Sequence, residues 1–264
     1  MWADAVFARH RITLPTPSPP PWEGGGNADL ARWVKRVPLR IMCGRYSLNA
    51  RADEIVELFK LAESIAFGPR YNIAPTQMAP IIRFDGDTQQ RRLDLVRWGL
   101  TPKWMKGQRP IINVRSETIG EKPTFRKAFQ ERRCLVPATG FYEWQKLGTA
   151  KQPFHIRHSD RSLFAFAGIW DRFKGAEDEL IESYAILTTS PNEVTAPIHN
   201  RMPVILDPAG CERWLDPSIE KAEALADLFD PISADQTIAE PVSTHVNSAA
   251  HDDERCLQPL AEGS

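Results

Sequence analysis

LFAFAGIWD, residues 163–171, is apolar at positions that would face both sides of a strand, with only Gly168 and the closing Asp171 breaking the run. A strand of that kind is covered on both faces, so it belongs in the middle of a sheet. Other strand-like runs surround it. MAPIIRF (78–84) and RRLDLVRWGL (91–100) flank the turn signal Asp85–Gly86–Asp87, and CLVPATGFYEWQ (134–145), PFHIRH (153–158) and SYAILTT (183–189) follow. Helical spacing occurs at 53–62, where Ile55, Leu58, Phe59 and Ala62 share one face. Asp207–Pro208 and Asp216–Pro217 each set an N-cap residue before a proline at the first helical position, predicting two late helices. Late helices after many strands indicate an α+β domain rather than alternating βαβ units. There is no internal repeat.

The first 41 residues have a different character. PTPSPPPWEGGG (15–26) forms neither helix nor central strand, and the stretch before it lacks the apolar run and cleavage site of a secretory signal. Residues 1–41 are therefore expected to be a misassigned start or a processed leader. The domain is expected over 42–255, with a C-terminal tail at 256–264.

Composition narrows the function classes. With 42% hydrophobic and 25% charged residues in 264, the chain is an ordinary globular protein, and no run is long enough for a membrane span. The formal charge of −1 hides a polarity: residues 83–133 carry 13 Lys+Arg against 6 Asp+Glu, and residues 207–264 carry 3 against 13. Such asymmetry suggests one basic face, the footprint of a phosphate-backbone binder; the alternative is scattered solvated charge. Cys43, Cys134, Cys211 and Cys256 show neither paired spacing nor a cysteine–histidine cluster, so neither zinc nor a disulfide framework is expected. A reducing cytoplasm fits this usage best.

Seven blocks carry the next step: MCGRYS (42–47), YNIAPTQ (71–77), RWGLTPKW (97–104), INVRSET (112–118), RRCLVPATGFYEW (132–144), ILTTSPN (186–192) and IHNRMPVIL (198–206). In this order they resemble the signature blocks of the SOS response-associated peptidase (SRAP) family, which includes proteins that shield abasic sites in single-stranded DNA. The resemblance implies one α+β domain with a mixed, mostly antiparallel, barrel-like β core and peripheral helices. It also implies a DNA groove leading to an N-terminal cysteine, Cys43 once Met42 is removed. A cytoplasmic monomer acting at damage sites on the nucleoid is expected, with no cofactor or metal, and with self-processing peptidase and lyase-type activity.

The chemistry explains the residue types. A ring-opened abasic sugar presents an aldehyde, and an N-terminal cysteine presents an amine and a thiol on adjacent carbons. The amine gives a Schiff base, and the thiol then closes a five-membered thiazolidine. An α-amine with a pKa of about 7.7–8.0 keeps a neutral fraction near pH 7 that lysine, at about 10.4, does not. Glu143 in GFYEW shares a strand face with Phe141 and Gln145, an apolar neighbourhood that suits it to shuttle protons. His199 lies in a proline-bounded loop, where functional residues are common.

By resemblance, His199 assists ring opening and reversal, and Asn113 orients the amine and the opened sugar. Arg45 and Arg115 match phosphate-contacting positions, a task to which the planar guanidinium fork is suited. Trp98 and Trp104 either stack on unpaired bases or pack in the core; Trp98 is the one favoured for the DNA groove. Two other readings remain open: a cysteine peptidase using Cys43 with His199, which needs no free amine, and a non-catalytic single-strand-binding module.

Overall fold

The computed structural model describes residues 44–63, 67–101, 109–174 and 179–260, all within one unit spanning Ile41–Ser264. The leader, Met42, Cys43 and Trp104 lie outside the described residues.

Thirteen strands form two sheets among the described residues. The larger sheet closes on itself. β3 (Met78–Asp85) pairs antiparallel with β4 (Gln90–Trp98) and β6 (Arg133–Ala138). β6 pairs with β9 (Phe164–Lys174), and β9 pairs with β10 (Leu180–Thr189). β10 returns to β4 in parallel, with Ser183 opposite Arg97, completing a five-stranded barrel. Closure removes the free edges that open sheets must protect. β5 (Asn113–Arg115) joins β10 in parallel, and two short strands, β11 (Met202–Pro203) and β12 (Ile205–Leu206), pair with β10 and β9. As its composition predicts, β9 is central: Phe164 to Ile169 are all buried, between β6 on one side and β10 and β12 on the other.

The second sheet runs β13–β8–β7–β1–β2, from β13 (Thr237–Pro241) through β8 (Ala150–His158), β7 (Gly140–Leu147) and β1 (Arg45–Leu48) to β2 (Arg70–Ile73). An aromatic cluster joins the two sheets. Tyr46 of β1 meets Trp98 edge-on at 5.2 Å and Phe166 at 5.9 Å, and its hydroxyl hydrogen-bonds Tyr184 of β10 at 2.7 Å. Burial raises both phenols well above their usual range, so they stay protonated and satisfy one another. Losing one partner would leave the other hydroxyl buried and unsatisfied, a cost of about 1–3 kcal/mol.

Two expectations fail for identifiable reasons. CLVPATGFYEWQ is two strands, β6 and β7, in different sheets. The chain changes sheets at Thr139–Gly140, where the His155 ring presses on the glycine: a Cβ there would lie 2.1 Å from His155 Nε2. The helix expected at Asp216–Pro217 is a turn. The Asp216 carboxylate accepts Ser218 N–H and Oγ–H (2.9 and 2.7 Å), and its carbonyl accepts from Arg133 at 2.6 Å. That carbonyl also closes one short turn with Ile219 N–H at 3.2 Å, and a longer 3₁₀ segment forms only at Ala222–Phe229.

Three α-helices flank the sheets among the described residues. α1 (Ala52–Phe59) buries Ile55 and Phe59, ending before Ala62 at a left-handed Lys60 and leaving Leu58 exposed. α2 (Pro123–Glu131), a helix beyond those the sequence predicts, packs Phe125, Ala128 and Phe129 inward. α3 (Pro208–Leu215) starts as predicted, with Asp207 accepting Gly210 N–H at 2.6 Å and Pro208 in the first turn. No described helix is long and apolar enough to cross a membrane.

Candidate functional site

Glu143 sits on β7 with 4% of its side chain exposed, and His199 sits in the loop after β10 with 12% exposed. The two are far apart in sequence and close in space: His199 Nδ1 is 3.7 Å from Glu143 Oε1. The loop holds the imidazole in place. Asn192 Oδ1 accepts Thr195 N–H at 3.0 Å, Thr195 carbonyl accepts His199 N–H at 2.9 Å, and Asn192 Nδ2 donates to Thr237 Oγ1 at 2.9 Å. From β7, Gln145 Nε2 donates to the Pro197 carbonyl at 3.2 Å, tying the loop directly to the strand that carries Glu143.

His199 Nδ1 also lies 3.2 Å from Arg201 N–H and 3.3 Å from Arg201 carbonyl oxygen. A neutral ring with its proton on Nε2 accepts the Arg201 N–H at Nδ1. A ring protonated at Nδ1 donates instead to that carbonyl or toward the Glu143 carboxylate. The carboxyl and the imidazole therefore form a mostly buried pair that can hold or pass a proton over a short distance. Such a pair suits general acid–base work better than stability, because ions buried together recover little net energy.

Asn113 opens β5, opposite Ile186 of β10. Arg115, two residues on, lies opposite Thr188, exposed at the end of β10 from which the His199 loop departs. Arg201 closes this end from the loop side. Its guanidinium forms a bidentate pair with Glu117 and donates to the Thr188 carbonyl. That pairing holds the Glu117 carboxyl below the usual carboxylate range.

Arg45 stands opposite Tyr142 in the β1–β7 pair, so the chain enters β1 beside Glu143, the residue after Tyr142. The Arg45 guanidinium donates to Asn72 Oδ1 at 3.0 Å, Val246 carbonyl at 2.8 Å and Asn247 carbonyl at 3.3 Å. All three acceptors are neutral, and burial lowers its pKa. Among the described residues no carboxylate forms an ion pair with it, so its charge is braced but not cancelled.

Trp98 corrects the sequence reading. It is fully buried, in the aromatic cluster between Tyr46 and Tyr184, and its indole N–H donates to Ile112 carbonyl at 3.0 Å. Neither ring face is available to a base. Much of the basic segment is also neutralised internally. Arg83 pairs with Asp94 and Glu182 at 2.6 and 2.8 Å, Arg92 pairs with Asp85 and Asp94, and Arg91 pairs with Glu212 of the acidic C-terminal region. Counting charge along the sequence could not reveal these pairings. The same counting missed Arg201, whose ion pair with Glu117 spans 84 residues.

A closed mixed barrel packed on a second sheet, with a mostly buried carboxylate–imidazole pair where the two approach, defines an α+β protein. The chain belongs to the SOS response associated peptidase (SRAP) family, whose profile matches residues 42–249. It is similar to the abasic site processing protein YoqW of Bacillus subtilis (strain 168), with 40% identity over 214 residues, covering 78% of this chain and 95% of that one. It is also similar to the abasic site processing protein HMCES of Gallus gallus, at 34% identity over 232 residues, covering 75% of this chain and 68% of that one. Among solved structures it resembles a crystal structure of a protein from Bacteroides thetaiotaomicron, with a TM-score of 0.73 and 29% identity, covering 83% of this chain and all of that one.

Proposed function

We propose that this protein captures abasic sites in single-stranded DNA as a covalent thiazolidine, using Cys43 as its N-terminal residue after loss of Met42. The observation that carries the reading is the Glu143–His199 pair at 3.7 Å, with Glu143 next to Tyr142, the partner of Arg45 at the start of β1. The names of the relatives support the substrate: one that is 40% identical to this chain is called an abasic site processing protein.

The reaction balances with the loss of one water. The neutral cysteine amine adds to the aldehyde carbon of the opened sugar, giving a carbinolamine. Glu143, in its protonated form, gives a proton to the departing hydroxyl as the imine forms. The thiol sulfur then adds to the imine carbon and closes the ring. The thiol proton passes to the ring nitrogen, directly or through Glu143. Proton delivery of this kind contributes about 10²–10⁴-fold to rate. His199, hydrogen-bonded through Arg201 and facing Glu143, manages the second proton position during sugar ring opening and during reversal.

Asn113 orients the amine and the opened sugar. Arg45 and Arg115 meet the flanking phosphates: Arg115 as an exposed cation, Arg45 through a charge that its neutral carbonyl partners leave uncancelled. The domain begins at Met42 and runs past the boundary expected at 255, since Cys256 is buried and Pro259 bridges Val242; residues 1–41 are absent from the active species. An amide nitrogen at Cys43 has its lone pair delocalised and could not form the imine. Self-processing of a leader by Cys43 and His199 would be the peptidase activity that the family name records.

The test is a denaturing gel of protein beginning at Cys43 incubated with an abasic single-stranded oligonucleotide. A heat- and SDS-resistant adduct is expected from the wild type and not from Cys43→Ala. An undiminished stable adduct in Cys43→Ala would overturn the assignment. A purely non-covalent binding module would give no adduct from either protein.

A further inference from the structure

Apart from the candidate site, the described residues bring together three side chains of metal-ligating type. His245, Asp253 and Cys256 each offer one donor atom, and the three atoms lie within 4.8 Å of one another. We propose that these residues bind a zinc ion that closes residues 245–256 into a cross-linked loop, the loop whose backbone holds Arg45 and Asn72 of β1 and β2.

The geometry is close to what zinc requires. Ligand atoms about 2.05 Å from a tetrahedral ion stand about 3.3 Å apart, and a sulfur at about 2.3 Å stands about 3.5 Å from its nitrogen or oxygen neighbours. His245 Nε2 and Asp253 Oδ2 are 3.2 Å apart. The two separations from Cys256 Sγ, each within 4.8 Å, shorten when the ion binds. Asp253 and Cys256 have the two-residue spacing of chelating pairs, here on one 3₁₀ turn, Glu254–Leu257, with Asp253 as its N-cap. A thiolate, an imidazole and one carboxylate select zinc over the oxygen-seeking magnesium and calcium.

The surroundings hold the ligands in place. Cys256 is fully buried in a small apolar cluster with Tyr142, Val242 and Val246. The His245 ring stacks on His251 at 3.9 Å, and His251 Nδ1 donates to His245 carbonyl at 2.8 Å. Arg255 N–H and Nε–H engage Asp253 Oδ1, each at 3.0 Å, while its Nη2 donates to Oδ2 at 2.8 Å. On binding, the ion takes the place of the His245–Asp253 hydrogen bond and the Arg255 Nη2 contact. The Cys256 thiol releases its proton to solvent, and a water fills the fourth position.

Such an ion would act on the site at one remove. The segment it closes supplies the Val246 and Asn247 carbonyls that hold Arg45, and the Val246, Ser248 and His251 carbonyls that hold Asn72 Nδ2. Asp252, beside the ligand Asp253, accepts Tyr71 and Asn72 N–H groups at 2.6 and 2.8 Å. The closed loop would thus fix the direction in which Arg45 points.

The test titrates cobalt(II) and zinc into Cys43→Ser protein, because a free N-terminal cysteine itself chelates both metals. One cobalt per chain with a near-ultraviolet thiolate-to-cobalt band is expected. Adding Cys256→Ser should abolish the band, adding His245→Gln should weaken cobalt binding at least tenfold, and zinc should raise the Tm only when Cys256 is present. Circular dichroism checks the fold of each variant, and His245→Gln, a half-buried site, keeps the test valid if Cys256→Ser misfolds. No thiolate band in Cys43→Ser, the same band after Cys256→Ser, or undiminished affinity in His245→Gln would overturn the proposal.

Discussion

Replacing His155 by glutamine changes how this fold responds to acid, and the size of the effect can be worked out. The imidazole is buried against Gly140 and the Tyr142 ring, with Nε2 3.0 Å from Ser47 Oγ. Burial, reinforced by the neighbouring Arg157 charge, pushes its pKa down to about 4. In the unfolded chain the same ring titrates near 6.5. As pH falls from about 6.5 to about 4, the unfolded chain takes up a proton that the folded protein refuses, so stability falls across that window. Below about 4 both states are protonated and the loss is complete. A gap of about 2.5 pH at about 1.36 kcal/mol per unit gives a loss of about 3 kcal/mol, a large share of the 5–15 kcal/mol typical of a folded domain. Urea unfolding of wild type and His155→Gln at pH 7.5 and pH 4 reads this out. Carboxylates titrate in both proteins, so the difference between them isolates His155. The wild type should lose about 3 kcal/mol more than the variant over the interval. Equal losses would show that the ring is not held neutral and that its burial against Gly140 has been misread.

Other consequences follow from the site. Glu143→Gln preserves shape but not the titrating carboxyl, and crosslinking measured by quenched-gel kinetics should slow by about 10²–10⁴-fold. His199→Ala should act on reversal of the adduct more than on non-covalent DNA affinity. Trp98→Ala should cost about 3–5 kcal/mol by urea unfolding, as expected for a large buried aromatic. Trp98→Phe should keep DNA affinity within twofold, whereas a base-stacking tryptophan would lose more than that. Arg115→Ala should lower affinity for abasic single strands and flatten its salt dependence by about one phosphate contact; an unchanged slope would remove Arg115 from the interface.

What could be read in the chain was local. β3, β4, β9 and β10 announced themselves through apolar runs, α1 through its spacing, and α3 through Asp207–Pro208. The failures came from distant partners. Nothing near Gly140 says that His155 will lie on it, and nothing near Asp216 says that Arg133 will take its carbonyl. β1 and β2 are too short to stand out, and they are strands because β7 pairs with β1 and β1 with β2. Glu143 and His199 were legible by resemblance, but their contact is a product of the fold, as is the His245–Asp253–Cys256 cluster. Trp98 was misassigned because burial and base stacking call for the same side chain, and only the packing of Tyr46 and Tyr184 around it distinguishes them.

Thiazolidine capture requires a free α-amine at Cys43, and intact mass measures that most directly. Protein isolated from its native cell and incubated with an abasic single-stranded oligonucleotide should give a species whose chain begins at Cys43. Its mass should equal protein plus oligonucleotide less one water, and prior acetylation of the amine should eliminate it. A crosslinked species that still carries residues 1–41, or one that survives N-terminal acetylation, would contradict the mechanism and transfer the chemistry to another nucleophile.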